Sequence, residues 1–244
     1  MNKELIKKRF SRKLDSYNAN ARIQKSMAEK LVNCVINAKS EQKKSILEIG
    51  CGTGFLTKLV VESINCEKYV ALDIVPECEK YIKEINSDIT FIPKDIEEYL
   101  EGAKEKFDLI ISNASLQWID NLPNFITKLV QKLAAGGILA FSTFGAENFR
   151  EIYYVLGKTL PYLTKKELEE KLSEYKPIIE DEVRILAFKT PKEVLKHIQN
   201  TGVNALTQEI WTKKDLINFE NGYNNFCASH PTLTYNPIYI KIQK

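Results

Sequence analysis

Histidine is nearly absent. His197 and His230 are the only two in 244 residues, and they stand far apart. That scarcity argues against a histidine-rich metal site. The five cysteines (Cys34, Cys51, Cys66, Cys78 and Cys227) are odd in number, scattered and never spaced C-x-x-C. They read as reduced cytosolic thiols rather than as a zinc site or a disulfide framework. No apolar run approaches the ~18 residues of a membrane helix, and the first residues lack a signal-peptide core, so no membrane association is indicated. A net charge of only +3 does not argue for nucleic acid. Arginine is also sparse, with Arg9, Arg12, Arg22, Arg150 and Arg184 the only five. There are no internal repeats and no low-complexity linker, so residues 1–244 read as one domain.

The charge that is present is unevenly placed. Residues 1–30 carry nine bases against three acids, a segment of +6, which leaves the rest at −3. A solvated helix face and a docking surface for an acidic partner both fit this pattern. Residues 3–14 have an amphipathic helical spacing, interrupted at Ser16-Tyr17-Asn18 and followed by a second helix from Ala19 to Asn37. Strand-like runs then alternate with helices: Ser45–Ile49, Tyr69–Asp73, Ile89–Ile92, Phe107–Ser112 and Ile138–Phe144. Gly136-Gly137 reads as the C-cap of the helix before the last of these. Alternation predicts an α/β fold with a mostly parallel sheet and helices on both faces. Beyond Phe144 the pattern predicts a helical insertion near 145–180, a strand at Glu182–Phe188, and helices at Pro191–Asn200 (capped by Gly202) and Trp211–Ala228. A closing strand at Thr232–Ile242 is interrupted by Pro237.

The run Ile46-Leu47-Glu48-Ile49-Gly50-Cys51-Gly52-Thr53-Gly54 is a buried strand turning sharply into a helix. Its G-x-G-x-G differs from the dinucleotide fingerprint G-x-G-x-x-G, since the last glycine comes one residue early. That difference favours an adenosine cofactor without a pyrophosphate, such as S-adenosylmethionine. Asp73, at the tip of the second strand, reads as an acceptor for ribose hydroxyls, or else as an ordinary turn acid or N-cap. Asp95, after the third strand, suits the adenine amine with Ile96 flanking the ring, and equally suits a helix N-cap. Asn113 ends the fourth strand. In an open parallel sheet these strand ends share one crevice.

Leu47–Gly54 resembles motif I of the class I S-adenosylmethionine-dependent methyltransferases, and Asp73, Asp95 and Asn113 match that superfamily's later positions in order. A narrower resemblance, to the malonyl-acyl-carrier-protein O-methyltransferase family, covers nearly the whole chain. It is carried by Phe10-Ser11-Arg12-Lys13-Leu14-Asp15-Ser16-Tyr17 with Ala21 and Gln24, and by Ser112-Asn113-Ala114-Ser115-Leu116-Gln117-Trp118. Phe141–Gly145, Thr201-Gly202-Val203-Asn204-Ala205-Leu206 and Leu233-Thr234-Tyr235 complete it, and Pro237 is a departure.

The resemblance implies a Rossmann-like seven-stranded sheet. An N-terminal helical lid (1–40), a cofactor core (45–145) and substrate-side helices with closing strands (146–244) elaborate it. The implied cofactor set is Gln24, Glu48, Gly50, Cys51, Gly52, Thr53, Gly54, Asp73, Ile74, Asp95, Ile96 and Asn113, with no metal. The implied reaction moves a methyl group from S-adenosylmethionine to the free carboxylate of malonyl-acyl carrier protein, on the way to the pimeloyl part of biotin. A carboxylate with a pKa of about 4 is already ionised at pH 7, so positioning replaces a general base. Arg150 or Arg184 are candidates to orient it, each with a surface ion pair as its alternative. Tyr17, Gln117, Trp118 and Asn204 are candidates to line the site. The basic N-terminus would dock the acidic carrier protein. A free small acid of the aconitate type is the rival acceptor, and a non-catalytic cofactor-binding subunit is the rival role.

Overall fold

The computed structural model describes residues 2–36, 43–201, 211–227 and 230–244, without the side chains of Lys43 and Lys44. Nine strands are present among them: β1 (Lys43–Ile49), β2 (Cys66–Asp73), β3 (Thr90–Pro93), β4 (Phe107–Ser112), β5 (Leu133–Phe144), β6 (Ile178–Asp181), β7 (Arg184–Ala187), β8 (Thr232–Tyr235) and β9 (Pro237–Gln243). Eleven helices accompany them: α1 (Lys3–Ser11), α2 (Leu14–Asn20), α3 (Arg22–Ile36), α4 (Phe55–Ser63), α5 (Glu79–Ile85), α6 (Ile96–Gly102), α7 (Leu122–Gln131), α8 (Arg150–Leu156), α9 (Lys165–Lys171), α10 (Pro191–Asn200) and α11 (Lys213–Phe226). None of the described helices is long and apolar enough to cross a membrane.

Seven strands form one sheet in the order β3-β2-β1-β4-β5-β9-β6, with β9 antiparallel to both its neighbours and the rest parallel. Successive side chains on the central strands point to opposite faces, and both faces are buried. Leu47, Ile49, Ile110, Leu139 and Phe141 meet Phe125, Ile126 and Leu129 of α7 on one face. Ile46, Leu109, Ile111, Ile138 and Ala140 meet Leu31, Val35, Leu56 and Val60 of α3 and α4 on the other. This two-sided burial explains why the strands read as continuous apolar runs.

Three local expectations are corrected. Gly136-Gly137 does not cap a helix: α7 ends at Gln131, and both glycines lie inside β5, where the pairing with β4 shifts register. Gly136 takes φ +73°, the left-handed conformation of a bulge. The closing strand is really two. β8 pairs with β7 in a separate hairpin sheet, Asn236 breaks the run, and β9 begins at Pro237, where a missing N–H is tolerated. At the N-terminus the break falls at Arg12-Lys13, and Tyr17 and Asn18 lie within α2. The predicted cap Gly202, with Asn37 and Ala228, lies outside the described residues.

Candidate active site

The C-terminal ends of β1 to β4 open into one cleft, roofed by α1 and α2. The loop after β1 forms its floor. Gly50, Gly52 and Gly54 all take positive φ (70°, 53° and 78°), a chain path that other residues adopt only with strain. The loop is pinned from behind, as the N–H groups of Gly50 and Cys51 both donate to the Leu72 carbonyl at 2.8 and 3.0 Å.

Asp73 sits at the centre. One carboxylate oxygen accepts from the Gly52 N–H at 2.8 Å and the other from the Val75 N–H at 2.9 Å. Each keeps lone-pair capacity for a further donor. Burial pushes its pKa up to about 6, against the pull of backbone N–H groups of Val75, Gly52 and Ile74. Above that pH the carboxylate is ionised and is an acceptor only.

The roof is tied to the floor by specific contacts. The ring of Phe10 stands over Gly52, so close that a Cβ there would come within 3.3 Å of it. Thr53 Oγ1 donates to Asn18 Oδ1 at 2.7 Å. Lys3 Nζ reaches Asp95 at 2.8 Å and Glu97 at 2.6 Å. Asp15 accepts from the Tyr81 hydroxyl, and Ser11 donates to Glu77. Phe10 also meets Tyr17 edge-to-face, 5.1 Å between centroids. Burial, then the charge of Asp73, raise the pKa of the Tyr17 hydroxyl, which therefore stays protonated.

Of the residues read as cofactor-binding, Gln24, Gly50, Cys51, Gly52, Thr53, Asp73, Ile74, Asp95, Ile96 and Asn113 line this cleft. One detail differs. The Asn113 side chain is already engaged, with Nδ2 donating to the Gln24 carbonyl at 2.9 Å and Oδ1 accepting from Ser142 at 2.6 Å, so it ties α3 to β5. Asp95 caps α6, as its position suggested, accepting from the Glu97 N–H at 2.9 Å. Gln24 has one more feature: its buried Oε1 meets no donor.

Glu48 and Gly54 stand outside the cleft. Gly54 faces Ile82 and Ile85 of α5, where it permits close helix packing. Glu48 is fully buried behind the loop and accepts from Thr57 Oγ1 and Tyr69 Oη, both at 2.7 Å. Burial pushes its pKa up to about 7, and the hydroxyl donors only partly oppose this. The folded chain thus holds the Glu48 proton more tightly than the unfolded chain, whose carboxyl titrates near 4.5. Its favourable contribution is complete below pH 4.5 and is lost as pH rises through about 7. A Glu48→Gln variant should therefore lose part of the decline in melting temperature between pH 5 and 8. A decline equal to that of the parent protein would mean that Glu48 is ionised throughout.

The substrate-side candidates divide. Tyr17 and Trp118 line the cleft. Gln117 faces a separate cavity. Arg150 is half exposed and paired with Glu147 at 3.2 Å. Arg184 lies on β7 and is paired with Glu182 at 2.9 Å and Ser26 at 2.6 Å. Neither arginine lines the cleft; both keep the surface pairing that was their alternative. Asn204 lies outside the described residues. Sequence reasoning missed Lys3 and Phe10 of α1 and Asn18 of α2 in the roof; the amphipathic spacing of residues 3–14 marked a helix without showing which of its residues meet the cleft.

A methyltransferase-domain family model matches residues 19–176. The malonyl-[acyl-carrier protein] O-methyltransferase of Chlorobium luteolum is 36% identical over 252 residues, spanning 99% of this chain and 95% of its own. That of Calditerrivibrio nitroreducens is 37% identical over 241 residues, spanning 98% and 96%. Among solved structures, the plantazolicin methyltransferase BpumL, in complex with SAH, is similar in fold. Its TM-score is 0.56 at 15% identity, over 98% of this chain and 94% of its own. Identity above one third, sustained over almost the full length of this chain and of both relatives, places this chain in the malonyl-[acyl-carrier protein] O-methyltransferase family.

Proposed function

We propose that this protein is a cytoplasmic enzyme that uses S-adenosylmethionine to methylate the free carboxylate of malonyl-acyl carrier protein, the step that starts pimeloyl synthesis for biotin. Residues 1–244 act on this reading as one methyltransferase domain. The observation that carries it is the near-full-length similarity to two enzymes named for that acceptor.

The cleft fits the donor. Asp73 offers two carboxylate oxygens with remaining capacity to accept, which suits a pair of ribose hydroxyls. The buried Gln24 Oε1 without a donor suits the amino group of a methionine moiety. The glycine loop allows a ligand to rest on backbone, while Asp95 and Ile96 suit the edge and face of adenine. Glu48 acts through the loop, by anchoring its strand from behind. When bound, S-adenosylmethionine supplies an electrophilic methyl group on a sulfonium.

The protein's own part is to position and to exclude water. The acceptor carboxylate, with a pKa of about 4, arrives ionised and needs no base. Alignment alone can supply effective molarities on the order of 10⁵ M or more. With both candidate arginines engaged elsewhere, orientation falls to the protonated Tyr17 hydroxyl and to Trp118 in the cleft wall. The roof of α1 and α2 keeps water out once both substrates are in place.

The genetic test is complementation. The gene should restore growth without biotin to a bacterial strain lacking malonyl-carrier methylation, and an Asp73→Ala allele should not. No growth with well-expressed, folded protein would remove malonyl-carrier protein as the acceptor.

A further inference from the structure

A second cavity lies against the cofactor cleft, on the other side of the short 3-10 turn Leu116–Trp118. Leu116 and Ile119 line both spaces. The two residues between them face apart: Trp118 lines the cofactor cleft and Gln117 the second cavity. The far walls come from the start of α7, the end of β5, the irregular segment 160–163 and α9. They are mostly apolar, with Leu160, Leu163 and Phe144 prominent.

Gln117 is oriented by its own backbone neighbour, its Nε2 donating to the Ala114 carbonyl at 2.7 Å. That bond settles which end of the amide is which, and leaves Oε1 buried with no donor. A buried acceptor without a partner is unfavourable unless a ligand donor satisfies it. It would repel a carboxylate or a phosphate and attract an N–H.

We infer that this cavity holds the amide-bearing arm through which the malonyl thioester is tethered, and that Gln117 Oε1 accepts a hydrogen bond from an arm amide N–H. The inference rests on the function proposed above. The malonyl carboxylate has to reach the first cleft, whereas the thioester and its chain have to leave it. The neighbouring cavity supplies apolar walls for the methylenes and, in Gln117 Oε1, an acceptor for an amide that has no donor of its own. Gln117 is on this account a specificity residue for the tether, not a contact of the reacting carboxylate.

The test compares malonyl-pantetheine, which has two amides, with the S-ethyl thioester of malonate, which has none. Gln117→Leu should raise KM for malonyl-pantetheine about five- to tenfold, the effect of one neutral hydrogen bond. KM for the ethyl thioester and the Kd for S-adenosylmethionine should stay as they were. Leu160→Trp, which fills the cavity from the segment 160–163, should show the same selectivity. Equal losses on both thioesters would mean that the turn, and Trp118 with it, has merely been displaced, and would overturn the inference. So would no change with either variant. If the unmodified protein methylates neither thioester, the proposed function itself is wrong.

Discussion

Asp73→Ala is expected to weaken S-adenosylmethionine binding by about 10²- to 10⁴-fold, because two hydrogen bonds to a charged acceptor are each worth roughly 1.5–3 kcal/mol. The carboxylate also holds the floor, through the N–H groups of Gly52 and Val75. Asp73→Asn, which keeps one acceptor oxygen, should fall between the parent and the alanine variant. A pH dependence follows from the same side chain. Burial raises its pKa to about 6 in the free protein. Ligand hydroxyls favour the ionised form, so binding takes up the ionised carboxylate and affinity declines as pH falls below about 6. Titration calorimetry at pH 8 and pH 5.5 measures both effects. Unchanged affinity in Asp73→Ala would remove Asp73 from the cofactor site.

The second large effect concerns the acceptor. The N-terminal thirty residues carry +6, and the structure divides these charges. Lys3 is committed to Asp95 and Glu97, and Lys30 to Glu180. Lys25 lies over the ring of Phe55. Lys7, Lys8, Arg12 and Lys13 form no ion pair among the described residues, and Lys8 and Arg12 are exposed. Reversing these four to glutamate changes the segment from +6 to −2. With rim charges worth up to about 1 kcal/mol apiece, KM for malonyl-acyl carrier protein should rise roughly 10- to 100-fold at low salt. Malonyl-pantetheine, which carries no acidic protein, should be turned over as before. Raising the salt should narrow the gap between parent and variant, because exposed charges are screened over about 10 Å at 0.1 M. An unchanged KM for the carrier-bound substrate would mean that docking occurs elsewhere.

The parts legible in the chain are those set by local pattern. Parallel strands buried on both faces gave apolar runs at Ile46–Ile49 and Leu109–Ile111, and a glycine-rich turn marked the cleft floor. Asp73 and Asp95 were legible because strand ends in an open sheet converge. The misread parts are those where one local signal serves two structures. Gly136-Gly137 looks the same in a helix cap and in a bulge. Thr232–Ile242 alternates throughout, yet the chain changes sheets at Asn236, whose side chain donates to the Glu182 carbonyl at 2.9 Å. The edge strand Ile178–Asp181 is four residues long and half acidic, too short for a period to register. The roof was legible as amphipathic helices, but not which residues touch the floor. Phe10 meeting Gly52 and Lys3 meeting Asp95 are contacts between segments more than 40 residues apart. Arg150 and Arg184 are held by acids close in sequence, Glu147 and Glu182, and only the contact of Arg184 with Ser26 joins distant segments.

The most direct measurement is transfer of a radiolabelled methyl group from S-adenosylmethionine to purified malonyl-acyl carrier protein. Label is expected on the carrier protein as a base-labile methyl ester, with none on acetyl-acyl carrier protein, which has no free carboxylate, and far slower labelling of free malonate or aconitate. Binding of S-adenosylmethionine without transfer to malonyl-acyl carrier protein, or preferential labelling of a free acid, would contradict the proposed function.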